Sequence, residues 1–317
     1  MLHKTPLQTM PKKSAPSKIR PVTDEDLEFL QEKLDAHKTQ DPYQKSANYY
    51  AMTGRNGLWM IEEGDSTVII CQHPNDADIK LIFPVIGMKN ERLLLKTISA
   101  LKQTNTDYRF ARFENLPFEE RRYPIQAIKE DILDWTFPVY TIDCALISQH
   151  EGKNFGKFRQ KLNRIDTTNI QAMDLDANHH EKDVLSVLDE WSPQGQKRVY
   201  YRLLNLMRKN RNLKGRIVFE GDTPIGFSIF EVATNRVANA FAHIGLHRYG
   251  GASQYVMKDM CQTLLQNDIK QVCIGGSENE GLDRFKKELA PIETTYLQSW
   301  AEAVARQETA PKVVNLH

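Results

Sequence analysis

Four small residues, Gly250, Gly251, Ala252 and Ser253, stand between an apolar run ending at Leu246 and a helix-like run from Gln254 to Asn267. A strand that delivers a glycine pair straight into a helix points backbone N–H groups at one spot, and the helix dipole favours negative charge there. Small residues let the backbone approach a phosphate, and Ser253 either caps the helix or adds a hydroxyl donor. A phosphate or pyrophosphate group fits such a nest. The alternative is a plain strand-to-helix turn with a glycine cap.

A group-transfer reaction beside such a turn needs a side chain that can take a proton from the incoming nucleophile. If Val237 to Leu246 is a strand, then Asn239, Phe241, His243 and Gly245 share the face opposite Ala238, Ala240 and Ala242. His243 then sits just before the anion turn with a pKa range that suits a general base, although a lone strand histidine is more often a hydrogen-bonded packing residue. Glu231 and Tyr296 are further candidates for base and acid. Asn279 and Glu280 begin the last helix, where they either hold an acceptor amine or cap the helix, capping being the use expected of Asn279.

Between Trp191 and Phe219 there is no acid, yet eight lysines and arginines occur there, with Arg198, Arg202 and Lys209 on one helical stripe. Lys157, Lys161 and Arg164 repeat the pattern at i, i+4 and i+7, with Arg159 nearby. Two basic surfaces in one half of a nearly neutral protein suit a polyanion such as tRNA, a nucleotide or an anionic membrane face, or else are two solvated helix faces.

Other chemistries lack their residues. There is no Gly-x-Ser-x-Gly elbow, no P-loop lysine and no His-Glu-x-x-His. His179 and His180 are adjacent and cannot easily face one metal ion, so no metal is expected. The 317 residues carry 42 basic against 41 acidic side chains, 40% hydrophobic and 26% charged, ordinary for a globular chain. The cysteines at 71, 144, 261 and 273 form no Cys-x-x-Cys pair and read as reduced packing residues of a cytoplasmic protein. No run approaches the roughly 18 apolar residues of a membrane span, and the basic, proline-bearing residues 1–21 lack the apolar core of a secretory signal and read as a disordered tail.

These residues must be positioned by two layered units. Thr23-Asp-Glu-Asp opens a helix carrying Leu27, Leu30 and Leu34. Strands are expected at Leu58 to Ile61, Thr67 to Gln72 and Ile79 to Pro84, a helix at Glu91 to Lys102, a strand at Tyr108 to Phe113 and a short helix at Phe118 to Lys129. Helical stripes follow at Phe155 to Ile165, Val184 to Trp191 and Val199 to Met207. Next come strands at Arg216 to Glu220, Ile225 to Val232 and Val237 to Leu246, the glycine turn and its helix, a strand at Gln271 to Ile274, a helix from Glu280 and a last strand at Thr294 to Trp300. The order predicts a mixed α/β chain of two related domains in tandem, residues 22–140 and 141–305, with a short tail at 306–317.

Strand, hairpin, long strand, glycine loop, helix, strand, helix is the order of GNAT acyltransferases, and His247-Arg-Tyr-Gly-Gly-Ala252 resembles their Gln/Arg-x-x-Gly-x-Gly/Ala loop, with histidine at its first position. Pro138 to Asp143, Gly152 to Arg164, Gly221 to Phe227 and Gly276 to Lys286 are similar to segments of the C-terminal domain of phosphatidylglycerol lysyltransferases. The resemblance covers roughly residues 23 to 300. It implies a tandem GNAT-like architecture, each domain a mostly antiparallel sheet flanked by helices, and transfer of an aminoacyl group from charged tRNA to an amine or hydroxyl acceptor. It further implies a donor-binding loop at His247, Arg248 and Gly250 to Ser253, and it assigns to Lys286 the family's lysine, which either neutralises a phosphate or lies along the surface. An acyl-coenzyme A dependent N-acyltransferase and a non-catalytic module of the same fold are the alternatives. No cofactor beyond the donor is required, and the acceptor is a small molecule, a peptide or a lipid headgroup.

Overall fold

Two seven-stranded sheets carry the fold, each built around the same meander. The computed structural model describes residues 18–37, 43–88, 90–113, 125–128, 137–191, 197–209, 212–232, 236–277, 279–296 and 299–302. In chain order the first half contains β1 (Arg20–Pro21), α1 (Asp26–Ala36), α2 (Ala47–Thr53), β2 (Leu58–Glu63), β3 (Ser66–Gln72), β4 (Ile79–Ile82), α3 (Glu91–Gln103), β5 (Asp107–Ala111) and β6 (Ile125–Ile128). The second half contains β7 (Val139–Asp143), α4 (Cys144–Gln149), α5 (Gly156–Leu162), β8 (Ile170–Asp174), α6 (Glu181–Trp191), α7 (Lys197–Lys209), β9 (Leu213–Glu220), β10 (Thr223–Val232) and β11 (Val237–Gly245). It closes with α8 (Ala252–Gln266), β12 (Gln271–Cys273), α9 (Glu280–Lys287), β13 (Glu293–Thr295) and β14 (Ser299–Glu302).

β2, β3 and β4 are antiparallel, α3 crosses over, and β5 lies parallel to β4. β9, β10 and β11 repeat this, with α8 as the crossover and β12 parallel to β11. The repeat follows from local chemistry. Asn90 accepts from the Leu93 amide to start α3, whose Leu94, Ile98 and Leu101 are buried on one face. Asp26 accepts from the amide and hydroxyl of Thr23, the reciprocal half of the expected capping box.

The sheets run β1-β2-β3-β4-β5-β14-β6 and β13-β7-β12-β11-β10-β9-β8. The single strand expected over Thr294 to Trp300 is therefore two strands, β13 beside β7 and β14 inserted between β5 and β6 of the other sheet. Most of the helix expected over Phe118 to Lys129 lies outside the described residues, and the part that is described, Ile125–Ile128, is a strand. Of the tail expected over 1–21, Arg20 and Pro21 pair with β2, and 1–17 lie outside the described residues, as does 306–317. β8 and α2 carry no strong periodic signal and were not anticipated. No helix among the described residues is long and apolar enough to cross a membrane.

One hydrophobic cluster runs from Leu30, Tyr50 and Phe83 to Leu203, Phe227 and Ile244, so the two units bury a face against each other. A polar knot lies within this contact. Glu231, at the end of β10 and 4% exposed, accepts from Asn48 of α2 at 2.7 Å and from Asn239 of β11 at 2.9 Å. Burial pushes its carboxyl up, against the opposing pull of hydrogen bonds from Asn48, Ser46 and Asn239. At the rim, Asp24 bonds Arg202 at 2.6 Å and Lys209 at 2.7 Å, and the Arg202 hydrogen bond helps hold the Asp24 carboxyl below its usual range.

Candidate functional site

β11 and β12 stay paired only from Val237 to Asn239, after which β12 ends and β11 continues alone on that side to Gly245. This opens a wedge in the second sheet. Opposite, the β10–β11 register shifts between Ile229, which faces Ala242, and Phe230, which faces Ala240. Phe241 is the extra residue of a β-bulge, and a bulge reverses which face later side chains occupy. The expectation that Asn239 and His243 share a face is therefore corrected. Asn239 turns to Glu231 and the first unit, while His243 turns toward α8 and α9.

The His243 Nε2–H donates to the Ser253 carbonyl at 2.8 Å, and the ring stacks on Phe285 at 5.7 Å between centroids. Burial, with the Lys286 charge adding to it, lowers its pKa from 6.5 to about 4. His243 is thus neutral at pH 7 and a weak proton acceptor, and it ties the strand to the first turn of α8. A folded-state pKa below the unfolded value gives stability that is present above pH 6.5 and is lost as pH falls through 4. Urea midpoints should accordingly drop by the equivalent of about 2–3 kcal/mol between pH 7 and pH 4, and His243→Gln should flatten that part of the profile. An equally steep profile in the variant would remove His243 as its source.

The glycine turn is shaped by close approach. Gly251 takes φ 93°, and a Cβ there would lie 2.3 Å from the Lys161 carbonyl oxygen. A Cβ on Gly245 would lie 2.4 Å from the Ser253 nitrogen. Only glycine lets the end of α5, the end of β11 and the start of α8 meet in this way. The meeting brings Lys161 and Arg164 to the N-terminus of α8, where Ser253 Oγ donates back to the Gly245 carbonyl at 3.2 Å.

A cavity of about 940 Å³ lies against this turn. His243, His247, Gly250, Gly251, Ala252 and Ser253 form one wall, and Asn279, Leu282 and Phe285 another. Trp191, Tyr200 and Tyr249 give it an aromatic side. Arg55, Lys161 and Arg164 supply three cations, and no Asp or Glu lines it among the described residues.

The other sequence candidates lie outside the cavity or are engaged in structural contacts. Glu231 is in the inter-unit knot and Tyr296 is 74% exposed; neither lines the cavity. Arg248 pairs with Glu190 at 2.9 Å and lies over the Tyr249 ring. Lys157 and Lys161 both pair with Glu288, at 3.3 and 3.2 Å, and Arg159 donates to the carbonyls of His150 and Gly152. Arg202 is committed to Asp24, whereas Arg198 is exposed with no acidic partner among the described residues. Asn279 caps α9 by accepting from the Leu282 amide at 2.9 Å, and Glu280 is exposed in its first turn. Lys286 is buried and donates to the Gly276 carbonyl. Arg55 was missed: it is one cation on a loop after α2, and only the packing of the two units places it here.

No protein-family model matches the sequence, and no curated protein matches it. Solved structures do resemble the fold. A conserved protein of unknown function from Bacteroides thetaiotaomicron superposes with a TM-score of 0.71 at 13% identity, over 91% of this chain and 99% of that one. The C-terminal domain of a candidate lysylphosphatidylglycerol synthetase from Agrobacterium fabrum gives 0.60 at 11% identity, over 89% and 94%. A tandem GNAT protein from the clavulanic acid biosynthesis pathway gives 0.53 at 12% identity, over 91% and 99%. At these identities the likeness bears on fold alone: the chain has a mixed α/β, tandem GNAT-like architecture.

Proposed function

We propose that this chain is an acyltransferase that moves an aminoacyl group from charged tRNA to an amine or hydroxyl acceptor in the cavity at the α8 N-terminus. The observation that carries the reading is a large cavity with three cations, of which Lys161 is shared with Glu288, no acid lining it among the described residues, and a glycine turn at a helix N-terminus, an environment suited to a phosphate-bearing donor. The name of the Agrobacterium fabrum protein, a candidate lysylphosphatidylglycerol synthetase, points to aminoacyl chemistry on the same fold.

In the proposed reaction the acceptor's lone pair attacks the ester carbonyl, the new bond forms at that carbon, and the ribose oxygen departs with a proton. The ester is already activated, so the protein's tasks are positioning and charge stabilisation. The side of β11 beyond Asn239 that faces away from β10, where no described strand pairs with it, supplies backbone groups for the carbonyl oxygen. His243, being a weak base, holds the turn rather than taking the proton.

Filter binding with aminoacyl-tRNA and calorimetry with coenzyme A separate the readings. Retention of charged tRNA, with no heat from coenzyme A, is the expected result. Arg164→Glu should then weaken retention and lessen the slope of log affinity against log salt by about one. Arg164 is the better probe than Arg202, which an ion pair to Asp24 already occupies. Heat from coenzyme A without tRNA retention would replace the donor with an acyl-coenzyme A, a second reading that the glycine turn also favours. Binding of neither would leave a non-catalytic module.

A further inference from the structure

Arg55 is unusual among the cations of this chain. It follows α2 in the first unit and, with Pro74 and Asn75, forms the first unit's share of a cavity whose remaining walls belong to the second. Its Nη1 is shut off from solvent and has no hydrogen-bond partner among the described residues. Burial lowers the Arg55 pKa, and the positive charge of Arg198 on α7 adds to it. Asp24, which lines a neighbouring pocket with Arg55, is held by Arg202 and Lys209. A half-buried guanidinium with a solvent-excluded nitrogen and a like charge in its vicinity costs free energy in the empty protein. An anion placed there removes both costs.

We propose that Arg55 forms a second oxyanion subsite of the cavity, on the first unit's wall and separate from the glycine turn. Its ligand group is a phosphate ester or a carboxylate, received by the planar fork of the guanidinium. The ligands of this cavity therefore present two anionic groups, one at the α8 N-terminus and one at the first unit's wall. The assignment rests on the reading of the cavity as a ligand site, and it adds a contact that the donor turn does not provide.

The test uses the full chain, inorganic phosphate and acetate at fixed ionic strength, and the variants Gly250→Glu, Arg55→Gln and their double. Calorimetry should show two phosphates per wild-type chain, one for each single variant and none for the double, with each loss amounting to about tenfold or more in affinity. Arg55→Lys should keep the second phosphate. Phosphate binding tighter than acetate identifies a phosphate ester, and equal binding a carboxylate. Thermal unfolding without added anion should start no lower in Arg55→Gln than in wild type, and added phosphate should raise the wild-type midpoint more. A single phosphate that Gly250→Glu alone abolishes would overturn the second subsite and leave the donor site standing. The reverse, a single phosphate lost only in Arg55→Gln, would keep the subsite and remove the turn. A double variant that still binds, or an Arg55→Gln chain that unfolds at lower temperature with or without phosphate, would assign Arg55 to structure and sink the proposal.

Discussion

Gly250→Glu should weaken binding of the phosphate-bearing donor by about 100-fold or more, since like charges brought together at a binding site cost several kcal/mol. The expected loss is electrostatic. Gly250 has an ordinary negative φ, and a Cβ there would meet only the Arg164 side chain, at 3.4 and 3.6 Å. Glutamate can be accommodated without strain at this residue, unlike any side chain at Gly251. Its carboxylate would occupy the end of the helix where the dipole favours the ligand's charge, and it would draw Arg164 into an internal ion pair. Gly250→Gln, of the same size without the charge, should cost much less. Equal losses in the two variants would show that bulk rather than charge is at issue. Donor affinity unchanged in Gly250→Glu would mean that the turn holds no anion.

Glu231→Ala should lower global stability by about 3–5 kcal/mol, the range for breaking one side of a buried charged network. Removal of the carboxylate leaves the amides of Asn48 and Asn239 without their acceptor in a region that water does not reach, and each such group costs about 1–3 kcal/mol. Glu231→Gln restores shape and one acceptor but turns an amide donor toward the donors around it, so its rescue should be partial. Urea unfolding measures both. An alanine variant within about 1 kcal/mol of wild type, the usual range for an ordinary substitution, would show that the knot contributes little. Because Asn48 lies 183 residues from Glu231, the loss should appear as one cooperative transition for both units rather than as melting of one half.

The glycine turn was legible in the sequence because its meaning is local: small residues between an apolar strand and a helix signal close backbone approach wherever the chain goes. The meanders and crossover helices were legible for the same reason, through apolar periodicity at Leu94, Ile98 and Leu101 and through the helix-like run that follows the glycine turn. What escaped depends on distant partners. The bulge at Phe241 is a property of two strands in register and has no single-strand signature, so alternation put His243 on the wrong face. The basic stripe of α7 was visible as composition, but the acid that satisfies Arg202 and Lys209 is Asp24, at the other end of the chain. Arg55 is a lone cation whose significance comes wholly from packing across the two units.

The placement of β14 also orders events in time. Ser299 to Glu302 sits between β5 and β6, and among the described residues β6 pairs with no other strand. During synthesis the early half of the chain therefore emerges with an open sheet edge and waits for a segment made nearly two hundred residues after β5. Until that segment leaves the ribosome, the edge of β5 that β14 later covers is open to mispairing.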